Sequence, residues 1–343
     1  MWPGLHHVMS HLYRRNLSMI RQAMEQSILR AVDRHAFSGT VLAAKEGEVI
    51  VREGYGMANV ELEVPNTPQT VFRIGSVTKP LTALAMIQLA ERGAIRLEDP
   101  VSRYLPSFSQ GERITLKHLL SHSSGLPNYT SAENAAAALV HPATVDELIA
   151  RFANEPLEFT PGEQFSYSNS GYVLLGKLIE EVSGQPYAEY MRQHIFTPAG
   201  MDDTGMDDNR SIVKRRAAGY EPDEDGSFRN ASYINMSNSY AAGGMHSTVD
   251  DLYALERALS SGQLVSAPAL RQMHTPHSGD YGLGWFILPP DRQLIYHHGG
   301  INGFTASFMR LPQQQAAVIV LSNVAWSVTS ELAHELAAML MPH

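Results

Sequence analysis

A chain of 343 residues, 44% hydrophobic and 18% charged, is long enough for one large domain or two interleaved lobes around an ample core. Its formal net charge of −9, with no basic stripe, excludes a phosphate-backbone partner, because such binding needs clustered Lys and Arg. The absence of cysteine excludes disulfides, thiolate catalysis and Cys-ligated zinc.

The segment Met1 to Ser18 has no apolar stretch followed by a small-residue cleavage site, so no secretory signal is read there. Residues 1–18 are expected to form a disordered extension, and the cytoplasm is the expected location. No run approaches the roughly 18 apolar residues of a membrane span. Residues 19–36 read as an amphipathic helix. Gly39-Thr-Val-Leu-Ala-Ala-Lys45 and Glu48-Val-Ile-Val-Arg-Glu-Gly-Tyr-Gly56 read as two strands of a hairpin turning at Glu46-Gly47.

Next comes Ser76-Val-Thr-Lys79 at the head of an apolar helical run, Leu81 to Ala90, that ends at Gly93. From 97 to about 235 the pattern is helical and rich in loops, punctuated at Ser123-Ser-Gly-Leu-Pro127, Thr160-Pro-Gly162 and Gly184-Gln-Pro186. Strand character returns in Leu294-Ile-Tyr-His-His298, Phe304 to Arg310 and Ala316 to Ser322, and residues 328–340 close the chain as a helix. Strands at both ends around a helical middle imply an α/β (α+β) fold. Its antiparallel sheet is assembled from 19–75 and 236–343, and a mostly helical lobe is inserted over 76–235. A cleft between two such lobes is the natural place for a site.

Three segments carry chemistry. In the first, Ser76 and Lys79 are three residues apart on one helix face, so the amine reaches the hydroxyl. A serine hydroxyl needs such a base, and burial pushes a lysine towards its neutral, proton-accepting form. In the second, Gln164-Phe-Ser-Tyr167-Ser-Asn169-Ser-Gly171, the crowded polar groups suit helix caps. The phenol of Tyr167 also suits proton transfer, and the amide of Asn169 both donates and accepts. In the third, Tyr296-His297-His298-Gly299-Gly300, glycines at a strand end let a ligand approach backbone N–H groups that could hold an oxyanion. Fifteen histidines invite a metal reading, but no His-Glu-x-x-His occurs, and His7 with His11 is an unsupported pair. Neither a metal nor an organic cofactor is expected.

In their order, Ser76-x-x-Lys79, Tyr167-x-Asn169 and His297-x-Gly299 resemble the motifs of the class C β-lactamase type of serine hydrolases. That group includes penicillin-binding D-Ala-D-Ala carboxypeptidases, D-aminopeptidases and β-lactamase-like esterases. Val71-Phe-Arg-Ile-Gly-Ser76, His118 to Pro127, Ala242 to Asp251 and Gly282-Leu-Gly-Trp285 extend the resemblance over about residues 25–340. It implies a β-lactamase-like fold, with Ser76 as the acylated nucleophile and Lys79 and Tyr167 as its proton-transfer partners. Asn169 would hold the substrate, the N–H groups of Ser76 and Gly300 would form the oxyanion hole, and Tyr129 would line the pocket. His297 stands where many β-lactamases carry a lysine. Histidine is largely neutral near pH 7, so it offers a substrate carboxylate no permanent cation.

The expected function is therefore a carboxylesterase acting on small esters through an acyl-enzyme, with weak or no β-lactamase activity. The alternative is a D-stereospecific peptidase or D-Ala-D-Ala carboxypeptidase, and a non-catalytic β-lactamase-like scaffold is a remote third. A conventional α/β-hydrolase is excluded by the missing Gly-x-Ser-x-Gly elbow.

Overall fold

The computed structural model describes residues 3–34, 37–133, 135–224, 227–288 and 294–341. Its centre is a six-stranded antiparallel sheet. In chain order the strands are β1 (Gly39–Lys45), β2 (Glu48–Tyr55), β3 (Phe286–Leu288), β4 (Leu294–Ile301), β5 (Phe304–Leu311) and β6 (Ala316–Ser322). Their spatial order is β3-β4-β5-β6-β1-β2. The two ends of the chain meet where β1 pairs with β6, Val41 opposite Val320. Glu46 and Gly47 both have positive φ, 53° and 83°, the requirement of a two-residue hairpin turn whose twist matches its strands.

The inner strands β1 and β6 are buried on both faces, which is why they read as continuous apolar runs. Alternation by two then sends their side chains into separate cores. Val41, Ala43, Val318 and Val320 pack with Met24 and Ile28 of helix α1 (Pro3–Asp33) and with Leu332 and Leu336 of helix α5 (Thr329–Ala338). Leu42, Ala44, Ile319 and Leu321 face the larger core, with α2 (Thr78–Glu91) and α3 (Asn169–Ser183). Helix α4 (Val249–Ser260) adds Leu252, Leu255 and Leu259 to that larger core. Helix α2 is buried from Thr78 to Leu89, as befits a helix apolar on every side.

Three expectations need correction. Helix α1 begins at Pro3, so most of the stretch expected as a disordered extension is helical; proline suits a first helical turn, and no further proline interrupts the run to Asp33. Strand β4 does not stop at His298 but continues to Ile301, because Gly299 and Gly300 pair with Ala306 and Thr305. The stretch read as helices and loops also contains strand. Gly205–Met206 pairs with Met245–Ser247, which pairs in turn with Phe72–Arg73 just before Ser76. Pieces of two or three residues are too short to show a period. Among the described residues, no helix is long and apolar enough to cross a membrane.

Candidate active site

Ser76 lies in a short 3-10 turn, Gly75–Val77, that leads directly into α2. Gly75 adopts φ +51°, a conformation that side-chain-bearing residues rarely reach. The turn packs backbone to backbone against β4. A Cβ on Gly75 would come within 2.8 Å of the Gly300 nitrogen, and one on Gly299 would lie 2.0 Å from the Ile74 carbonyl oxygen and 3.0 Å from the Ser76 nitrogen. A Cβ on Gly300 would meet nothing within 4 Å, so that position opens onto the cavity in front of Ser76. The paired glycines are thus the reason β4 reaches the Ser76 turn. Replacing Gly299 with alanine is expected to force the two backbones apart, cost about 1–3 kcal/mol of stability and remove most hydrolytic activity. Thermal unfolding and turnover of a p-nitrophenyl ester check both effects.

Lys79 is fully buried. Its Nζ lies 3.0 Å from Ser76 Oγ, 2.8 Å from Asn169 Oδ1 and 2.7 Å from the Ala242 carbonyl oxygen. Burial drives this amine well below the ordinary lysine range. The amine donates to all three, and loss of its proton would free a lone pair that can take the Ser76 proton. The hydroxyl of Tyr167 is hydrogen-bonded to Ser76, and burial pushes that phenol well above its usual value. The Tyr167 phenol, the Ser76 hydroxyl and the Lys79 amine therefore form one series centred on Ser76.

Asn169 opens α3 with its amide fixed at both ends. Its oxygen accepts from Lys79, its Nδ2 donates 3.0 Å to Thr130 Oγ1, and its backbone N–H donates 3.1 Å to Asn128 Oδ1. Tyr129 is buried and donates its hydroxyl to the Asn238 carbonyl; burial raises its pKa as well. The cavity in front of Ser76 is about 180 Å3. Tyr129, Thr130, Asn169, Gly300 and Asn302 line it together with apolar Leu139, Ile234 and Ile301, and none of its lining residues carries a charged side chain.

His297 takes another place. It is 1% exposed and is not among the residues lining the cavity. Its Nδ1 lies 2.6 Å from the His298 carbonyl oxygen, which only accepts, so the proton sits on Nδ1. Nε2 then accepts from the Tyr281 hydroxyl at 3.1 Å. Burial holds this ring neutral. The structure therefore brings Ser76, Lys79, Tyr167, Asn169 and the two glycines together, with Tyr129 on the far wall and His297 behind the Tyr167 ring, centroids 6.3 Å apart.

Sequence reasoning missed Thr130, Asn128, Asn302 and the Ala242 carbonyl, none of which has a side-chain signature. It also assigned no role to His122, although the segment containing it had been singled out. Among the described residues, no cluster of His, Asp and Glu is arranged to hold a metal ion.

The family model described as Beta-lactamase matches residues 18–338. PbpX of Bacillus subtilis (strain 168) is 35% identical over 301 residues, covering 87% of this chain and 74% of PbpX. Among solved structures, a penicillin binding protein from Bacillus halodurans superposes with a TM-score of 0.82 at 28% identity, over 94% of this chain and 98% of that one. A D-stereospecific amidohydrolase from Streptomyces sp. superposes with a TM-score of 0.79 at 26% identity, over 92% of this chain and 97% of that one.

Proposed function

The chain belongs to the β-lactamase family of serine hydrolases, and from that premise we propose that it is a carboxylesterase acting on small, uncharged esters through an acyl-enzyme on Ser76. The observation that carries this reading is the cavity lining, which holds hydroxyls, amides and aliphatic groups but no charged side chain. A D-Ala-D-Ala peptide or a penicillin brings a carboxylate for which this lining offers no cation, and a charge partly removed from water without a partner is costly. A neutral ester asks for none.

Ser76 Oγ attacks the ester carbonyl while its proton passes to the neutral amine of Lys79. The N–H groups of Ser76 and Gly300 hold the resulting oxyanion, each worth roughly 3–4 kcal/mol in the transition state. The C–O bond to the alcohol then breaks. The leaving oxygen takes the proton held by Lys79, relayed through the Tyr167 hydroxyl. Water attacks the acyl-enzyme and gives its proton to the same pair, which returns a proton to Ser76 Oγ as the acyl C–O bond breaks and the carboxylic acid leaves. Burial disfavours both the ammonium and the phenolate, which supports Lys79 as the base and Tyr167 as the relay.

Turnover of p-nitrophenyl acetate, a D-Ala-D-Ala peptide and a penicillin, with intact-mass detection of the acyl group, tests the proposal. The ester is expected to lead in kcat/KM by at least about 100-fold, the scale on which an unmatched polar group is rejected. Faster release of D-alanine than of p-nitrophenol would overturn it. Similarity to the Streptomyces amidohydrolase favours a second reading, a D-stereospecific peptidase. Cleavage of a D-amino-acid amide with no detectable ester turnover would establish that one instead.

A further inference from the structure

We propose that His122 is the positioning residue for Tyr167, holding its phenol on Ser76; this rests on the reading that Tyr167 relays the proton. Residues 164–168 form neither helix nor strand, so no ladder of backbone bonds fixes Tyr167. The N–H groups on either side of it end on one residue instead. The Ser166 N–H donates 2.8 Å to the His122 carbonyl, and the Ser168 N–H donates 3.2 Å to His122 Nδ1. The two rings lie in tilted contact, with centroids 4.2 Å apart and planes at 35°. Tyr172 and Tyr281 back the imidazole at 5.1 and 4.7 Å. His122 thus clasps Tyr167 by its backbone oxygen, its ring nitrogen and its ring face.

The fold tolerates two costs at this position. His122 adopts φ +55°, unfavourable for a residue with a side chain, and its buried Nε2 has no hydrogen-bond partner. Such costs persist where a side chain serves the site. The Nδ1 bond requires an unprotonated nitrogen. Burial keeps His122 well below the ordinary histidine value, so the clasp holds through the neutral range.

The test compares H122G, H122N, Y167F and the H122G/Y167F double variant, reading kcat and KM separately on p-nitrophenyl acetate and checking each fold by thermal unfolding. Glycine keeps the left-handed backbone and the carbonyl that holds Ser166, and removes the ring nitrogen and ring face of the clasp. Asparagine keeps that backbone too and places an oxygen near the Nδ1 position. H122G is expected to lower kcat on the order of 100-fold with KM within about threefold. H122N is expected to recover about tenfold of that loss. In the Y167F background H122G should cost no more than about twofold, because residues acting through one another are not additive.

A full H122G loss in the Y167F background, or H122N no better than H122G, overturns the proposal. If Y167F is inactive while H122G matches the parent, only this inference fails. If Y167F matches the parent, the relay reading fails and takes the inference with it. Should H122G not fold, H122F serves in its place, keeping the ring and losing the acceptor. Equal kcat for H122F and H122N then overturns the role of Nδ1.

Discussion

Alanine at Ser76 is expected to lower kcat/KM for p-nitrophenyl acetate by about 100,000-fold or more, the scale seen when a serine nucleophile is removed. The acyl adduct should disappear from the intact mass in the same variant. Stability should hardly change. Ser76 is only partly buried, and Lys79 keeps Asn169 Oδ1 and the Ala242 carbonyl as partners. An adduct persisting on the alanine variant would place the nucleophile elsewhere. Ser239, which also lines the cavity, would then be the first residue to replace.

Methionine at Lys79 is expected to lower kcat by about 1,000- to 10,000-fold, the upper range for a lost general base. It should also destabilise the fold, because two buried acceptors lose their donor at about 1–3 kcal/mol each. The relief of a desolvated amine offsets part of that cost. The pH profile separates the base from a merely structural lysine. Below its depressed pKa Lys79 is an ammonium without a lone pair, so kcat/KM rises as pH passes upward through that value. The residual activity of K79M should lack this limb.

Stability follows the same sign. Between the depressed folded value and the ordinary lysine value, the unfolded chain binds the extra proton, so stability rises with pH across that window. K79M should lose that slope as well, and urea titrations at several pH values would measure it. An unchanged acid limb in K79M would transfer the base role to another group.

Much of this was legible in the chain because it is local. Ser76 and Lys79 meet because three residues along a helix is one turn, whatever the rest of the molecule does. β1, β5 and β6 were legible as apolar runs cut by glycine or proline. Their burial on both faces leaves such a pattern, and the two-residue turn at Glu46-Gly47 needed only its own backbone angles. The whole-chain motif order identified the family because each motif is short and its geometry is carried by a single turn or strand end.

His297 shows where local reading stops. The strand pattern placed it correctly on β4, but whether its ring faces the cavity or the Tyr281 side depends on what packs against it, and the answer was burial. The strand itself ran farther than glycine content suggested, because its partner β5 supplied hydrogen bonds to Gly299 and Gly300.

By itself the sequence determined the helix that presents Ser76 and Lys79, the strands of the sheet, the lack of thiol chemistry and the family. All of these follow from spacing, periodicity or residue type within short windows. The tertiary structure alone decided the lowered basicity of Lys79, the uncharged lining of the cavity, the bond from Lys79 to the Ala242 carbonyl and the clasp of His122 on Tyr167. Each of those depends on burial or on contact between segments far apart in the chain, from 46 residues for His122 and Ser168 to 163 for Lys79 and Ala242. Burial and long-range contact are properties of the packed chain, and no spacing rule encodes them.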